Sequence, residues 1–267
     1  MPNSDKMNVA GILIDSATYE SAMDFILSAA REKRSATVSA LAVHGVMTGV
    51  LDREHRYRLN RFDLLVPDGQ PVRWVLNLLH NAKLSDRVYG PELTKRLCGQ
   101  AAQEGLPIFL YGSTQAILED FQKVLRERHP EIQIAGAEPS KFRRLDPAEK
   151  IELAARIQAS GAAILFVGLG CPRQEVFAFE LSSCLQIPII AVGAAFPFLA
   201  GHVPQAPPWM QARGLEWLYR LATEPRRLWK RYLYLNPAYV ALILLQAIGM
   251  PLSPTNVQQP AREELYG

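Results

Sequence analysis

An aspartate stands directly behind a short apolar run in Leu64-Leu-Val-Pro67-Asp68-Gly69-Gln-Pro71. A carboxylate placed where a buried strand gives way to a helix has two uses. It can cap the helix by accepting from its free backbone N–H groups, or it can stand at the C-terminal edge of a parallel sheet as a general base. Spacing alone favours the cap and leaves the base open. A second turn, Phe166-Val-Gly168-Leu-Gly170-Cys171-Pro172-Arg173-Gln174-Glu175, sets glycines ahead of a helix start. Free N–H groups at such an N-terminus suit an anion such as phosphate. Tyr111-Gly112-Ser113-Thr114 repeats the arrangement in shorter form. Neither turn is a GxGxxG or a P-loop, and a purely structural turn is the default for both. His44, ahead of Gly45 at another strand end, is as compatible with a structural role as with a functional one.

Other chemistries lack their residues. No Asp-x-Asp is present to hold a divalent metal beside a sugar nucleotide, and neither HExxH nor Gly-x-Ser-x-Gly occurs. The five histidines show no ligand spacing, and the three cysteines (Cys98, Cys171, Cys184) lie far apart with no CxxC pair. This pattern predicts neither a disulfide framework nor a structural zinc site, and no cofactor.

A third feature lies near the C-terminus. Residues 211–235 hold six basic side chains against two acidic ones, a local balance of +4 in a chain of net charge +3. Arg220, Arg227, Lys230 and Arg231 fall near one helical face, with Pro225 dividing two helices. Trp217, Trp229 and Tyr232 are interleaved with them, and an apolar helix follows. That combination predicts a membrane-surface element whose basic face meets anionic headgroups or a lipid diphosphate. A local cluster with an apolar neighbour argues against nucleic acid as the partner.

The elements that must position these residues follow from hydrophobic patterning. Apolar, β-branched runs at 9–14, 37–43, 63–66, 108–111, 132–135, 164–167 and 189–192 alternate with helix-length segments at 19–32, 71–79, 91–104, 115–128, 147–159 and 172–184. Several runs are apolar on both faces, as in parallel strands covered by helices. Pro71, Pro91, Pro147 and Pro172 suit first helical turns. The expected fold is α/β, a Rossmann-like, mostly parallel sheet with helices on both faces. With 267 residues, 49% of them hydrophobic, one sizeable core is affordable. Prolines 204, 207 and 208 set a boundary near residue 200. We expect a Rossmann-like domain over 1–200, a helical appendage over 201–250 and a loose tail over 251–267. The N-terminus is polar and unlike a signal peptide, and the apolar stretch at 238–250 falls short of the roughly 20 residues of a spanning helix.

Taken together, these motifs resemble the WecG/TagA/CpsF glycosyltransferases (glycosyltransferase family 26). The resemblance spans roughly residues 8 to 240. It is carried by Val66-Pro-Asp68-Gly69, Arg87-Val-Tyr89-Gly90-Pro-Glu92-Leu, Gly168-Leu-Gly170-Cys-Pro172-Arg173-Gln174-Glu175 and Gly214-Leu-Glu-Trp-Leu-Tyr-Arg220-Leu with Glu224-Pro-Arg-Arg-Leu-Trp-Lys-Arg-Tyr. Such enzymes invert the anomeric centre as they move a sugar from a UDP-linked N-acetylhexosamine to an undecaprenyl-diphosphate-linked acceptor. They work without a metal at the cytoplasmic face of the bacterial cell membrane, in exopolysaccharide and envelope glycan assembly. The resemblance implies that Asp68 is the base and that Arg87, Tyr89, Gly90, Glu92, Gly112 and Gln174 surround the substrates. It also implies that Arg220, Arg227, Lys230 and Arg231 reach the diphosphate or the membrane, and it leaves homo-oligomers open. Some positions depart from the pattern: Ser39-Ala-Leu-Ala-Val-His44 stands for a Thr-x-Asn, Phe196-Pro197 for Phe-Asp, Gly90-Pro-Glu92-Leu for Gly-Val-Asp-Leu, and Gln205-Ala-Pro207 for Arg-Ala-Pro. These changes keep alive a second reading, a non-catalytic nucleotide-binding regulator or scaffold of envelope assembly.

Overall fold

The computed structural model describes residues 5–250, 252, 254, 255 and 257–267, without the side chains of Arg227 and Arg231. The chain opens on an antiparallel hairpin, β1 (Lys6–Val9) and β2 (Ile12–Asp15). Residues 9–14 are therefore two strands and a turn, not the single strand expected. Ala10 and Gly11 both take positive φ, 53° and 94°, the left-handed pair that a two-residue hairpin turn demands. An alanine there gives no turn signal, so the apolar run reads as continuous.

Helix α1 (Tyr19–Arg31) starts on a Thr18–Ser21 capping box and leads to β3 (Ala36–Leu41). Two helices follow that hydrophobic patterning leaves unassigned, α2 (Val43–Leu51) and α3 (Arg53–Leu59). Then come β4 (Leu64–Pro67), α4 (Gln70–His80), α5 (Gly90–Glu104), β5 (Ile108–Gly112), α6 (Gln115–Arg128) and β6 (Ile134–Glu138). Next are α7 (Pro147–Ala159), β7 (Ile164–Gly168), α8 (Arg173–Leu181), β8 (Pro188–Ala191) and α9 (Ala195–Leu199). Beyond them lie α10 (Pro208–Ala212), α11 (Glu216–Thr223) and α12 (Pro225–Ala247).

Six strands form one all-parallel sheet in the order β4-β3-β8-β7-β5-β6. Alternate residues of each strand feed opposite faces. Leu64, Val66, Ile108, Leu110, Phe166 and Ile190 pack with α1, α5, α6 and α9. Leu65, Phe109, Val167 and Ile189 pack on the other face with α2, α7 and α8. Both faces are buried, which is why these strands read as apolar runs instead of alternating ones.

The last helix is bound into this second core. Tyr239 and Ile243 of α12 belong to it, and the Gln246 side chain grips the hairpin. Its Oε1 accepts from the Ala10 N–H at 2.8 Å, and its Nε2 donates to the Asn8 carbonyl at 2.7 Å. The final residues, read as a loose tail, lie along the body. Glu180 accepts the N–H groups of Glu264 and Leu265 at 2.7 and 3.0 Å, and Ser140 donates to the Gly267 carbonyl at 2.7 Å. Among the described residues, no helix is long and apolar enough to cross a membrane.

Candidate active site

Asp68 directly follows β4 at the C-terminal edge of the sheet, where its N–H donates to the Leu41 carbonyl at 3.2 Å. It does not cap the helix that follows it. Gly69 is the N-cap of α4 and makes no side-chain cap bond. Instead Asp68 Oδ1 accepts the Gly90 N–H at 2.9 Å, at the start of α5. One oxygen thus caps a distant helix, and among the described residues Oδ2 has no hydrogen bond. Space at Gly90 is tight: a Cβ there would come within 3.2 Å of the Val192 carbonyl oxygen and 3.3 Å of Ala40 Cβ, and both would have to give by a few tenths of an ångström.

Burial pushes the Asp68 carboxyl up to about 6, against the pull of the Arg87 charge; Glu216 raises it further, while the Gly90 N–H and Arg220 lower it. A carboxylate tuned to that range takes a proton near neutral pH. Arg87 secures the surroundings. Its guanidinium donates to the Asp68 carbonyl at 3.2 Å, to Gln211 Oε1 at 3.1 Å and to Glu216 Oε2 at 2.7 Å, and it stacks 4.3 Å from the Tyr89 ring centre. It therefore ties the loop after β4 to α10 and α11.

Two clefts meet at Arg87. The first, about 490 Å³, has Asp68, Gly69 and His44 near the sheet edge. Its remaining walls are largely apolar, supplied by Trp74 of α4, Trp217 of α11 and Tyr239 of α12, with Arg220 as a cationic group. The second, about 670 Å³, is polar, with Arg73, Arg87, Lys95 and Arg128 among its walls together with Tyr89 and Glu92. Glu92 pairs with Arg96 at 2.8 Å and Lys95 at 3.4 Å.

The sequence-predicted residues thus divide. Asp68, His44, Gly69, Arg87 and Arg220 share the apolar cleft, Arg87, Tyr89 and Glu92 share the polar one, and Gly90 abuts Asp68. The glycine-rich turn stands outside the walls of both. Gln174, only 2% exposed, accepts the N–H groups of Gly170 at 3.1 Å and Gly193 at 3.0 Å, and donates to Glu175 at 2.8 Å. Its side chain is a clasp between the β7–α8 and β8–α9 turns. Arg173 donates to the Leu169 carbonyl at 2.9 Å, and Pro172 follows a cis peptide bond. Gly112, at φ 112°, lies against the Gly168 backbone, where a Cβ would come within 2.8 Å. Burial raises the Glu175 carboxyl, while hydrogen bonds from Gln174 and Ser39 lower it.

Of the appendage cations, Arg220 sits 5.5 Å over the Phe198 ring, and Lys230 sits 5.5 Å over the Trp229 ring. The side chains of Arg227 and Arg231 lie outside the described ones. Sequence reading missed Gln211 and Glu216 as partners of Arg87, and nothing in the local pattern marks them. Residues 7–251 match the sequence model of the glycosyl transferase WecG/TagA/CpsF family, a span holding both clefts, the glycine-rich turn and all of α12. The chain belongs to this family of glycosyltransferases, enzymes of cell-envelope polysaccharide synthesis.

Proposed function

We propose that this protein is an inverting glycosyltransferase that moves an N-acetylhexosamine-type sugar from a UDP-sugar to a polyprenyl-diphosphate-linked acceptor, undecaprenyl in bacteria. The observation that carries the reading is Asp68, whose carboxyl is pushed up to about 6 and which opens onto a cleft walled largely by tryptophan, tyrosine and aliphatic side chains, with Arg87 and Arg220 as its cations. Such a cleft suits an acceptor with an apolar carrier better than a wholly polar saccharide.

In the proposed reaction Asp68 takes the proton of the acceptor hydroxyl. The acceptor oxygen bonds to the anomeric carbon as the bond from that carbon to the UDP oxygen breaks, and UDP leaves with the electron pair. One displacement inverts the centre. The charge growing on UDP meets backbone N–H groups at helix starts and the guanidinium groups of Arg87 and Arg220, with no divalent metal required. The four cations of the polar cleft support a diphosphate there.

The proposed place of work is the cytoplasmic membrane surface, with the enzyme peripherally attached. Exposed apolar side chains along α12 and at its C-terminal end support this, including Leu233 at 62% exposure, near Trp229 and Lys230, and the C-cap residue Ile248 at 74%. The test is donor consumption with a panel of UDP-sugars, native membranes and the Asp68→Asn variant. We expect turnover by the wild type, no stimulation by added magnesium or manganese, and a loss of at least about 100-fold in the variant. A wild type that binds UDP and consumes no UDP-sugar would instead establish the regulator or scaffold reading.

A further inference from the structure

Three side chains that neither cleft uses meet behind the glycine-rich turn. His55 comes from α3, Cys171 from the β7–α8 turn and Glu175 from the first turn of α8. One nitrogen, the sulfur and one carboxylate oxygen all lie within 4.8 Å of one another. Spacing along the chain hides them, since α3 is remote in sequence from the other two.

His55 is 1% exposed, and neither of its ring nitrogens has a hydrogen-bond partner. A buried polar atom left so forfeits about 1–3 kcal/mol, a cost that native folds avoid unless another species fills the place. Burial also keeps the ring neutral, so a lone pair is available to a ligand. Glu175 is likewise 1% exposed, and the groups hydrogen-bonded to it are neutral. Its Oε1 accepts from Ser39 Oγ at 3.0 Å and Gln174 Nε2 at 2.8 Å, and its own backbone N–H and the Cys171 thiol lie beside the carboxyl. Among the described residues its Oε2 has no hydrogen-bond partner, and the carboxylate has no salt bridge. A buried carboxylate without a counter-charge, an imidazole without a donor or acceptor and a thiol together describe a place short of positive charge.

We propose that His55, Cys171 and Glu175 hold a borderline-soft divalent cation, zinc by its preference for nitrogen, sulfur and carboxylate donors, which fastens the β7–α8 turn to α3. Zinc bonds of about 2.0–2.3 Å set tetrahedral ligand atoms about 3.3–3.8 Å apart, so rotation of the side chains closes the widest gap by about 1 Å. Cys171 is partly exposed, and water completes the fourth position. On binding, the sulfur–metal bond replaces the sulfur–hydrogen bond and the proton passes to solvent. One thiolate and one carboxylate then neutralise the ion. None of the three side chains walls either cleft, so the ion is structural and the sugar chemistry does not pass through it.

The full-length protein, stripped and titrated with Co²⁺ and with Zn²⁺ alone, tests this. We expect one equivalent bound, a cobalt–thiolate charge-transfer band, and a thermal midpoint raised by zinc. Cys98→Ala with Cys184→Ser leaves Cys171 as the sole cysteine and keeps the band. Cys171→Ser abolishes it, and His55→Phe weakens zinc binding by more than about 100-fold, beyond the loss from an outer-shell partner. A folded wild type without the band overturns the proposal, as does a band that survives Cys171→Ser. If Cys171→Ser fails to fold, the paired cysteine variant decides. A band there supports the site, and its absence from that folded protein refutes it.

Discussion

Replacing Asp68 with asparagine is expected to make the protein more stable while abolishing transfer, and the gain should depend on pH. The Asp68 carboxyl moves from 3.8 to about 6 on folding, chiefly because burial disfavours its charge. The folded protein therefore holds this proton more tightly than the unfolded chain does. Between those two values the native state binds more protons, so stability falls as pH rises through the window and stays lower above it. At about 1.4 kcal/mol per unit, the ionised carboxylate costs the fold about 2–3 kcal/mol at neutral pH and above. Asparagine carries no charge, and its side-chain oxygen can still accept the Gly90 N–H that Asp68 accepts at 2.9 Å. Urea unfolding of both proteins should give the variant an advantage of about 2–3 kcal/mol at about pH 8, shrinking toward zero at about pH 4, with the slope m unchanged. An advantage of the same size at both pH values, or a variant less stable at the alkaline one, would refute the idea that Asp68 is held under electrostatic strain.

Three further outcomes follow from the same geometry. Glu216→Gln removes a charge that raises the Asp68 carboxyl, so the acid limb of the kcat/KM profile should move to lower pH; breaking its ion pair with Arg87 should also cost up to about 3 kcal/mol in urea unfolding. Gln174→Ala leaves the Gly170 and Gly193 N–H groups without their acceptor, and should cost about 1–3 kcal/mol for each, read as a lower urea midpoint. Leu233→Glu combined with Ile248→Glu should reduce pelleting with anionic vesicles at unchanged far-ultraviolet dichroism, and Lys230→Gln should weaken it by about fivefold, equivalent to about 1 kcal/mol; unchanged pelleting in both would remove α12 from the membrane contact.

The parallel strands were legible because burial on both faces leaves a plain signature, as in Ile164–Gly168 and Pro188–Ala191. Helix α3 was not, because five of its seven residues are buried and three of those are His55, Arg56 and Arg58. Arg56 is inside because its guanidinium accepts nothing and gives everything: it donates to the Gly49 and Val50 carbonyls at the end of α2, at 3.0 and 2.6 Å. Hydrophobic periodicity cannot register a cap made by a cation. Asp68 was visible as a carboxylate at a strand end, but that it caps Gly90 of another helix instead of the helix following it was not, because that partner lies 22 residues on. The Arg87–Glu216 pair joins residues far apart in the chain, and no local pattern announces it. Gln174 was singled out in its turn, yet its hydrogen bonds go to the protein's own groups, the Gly170 and Gly193 N–H and the Glu175 carboxylate.

The grip of Gln246 on Asn8 and Ala10 sews the beginning of the chain to the helix that roofs the apolar cleft. Neither α10 nor α11, which hang between this roof and the body, has a buried residue. Damage to the hairpin and damage to α12 should therefore look alike. Shortening the chain past Ala10 would take away the handhold of α12, and the defect would surface at the apolar cleft that α12 covers instead of at the hairpin that was cut.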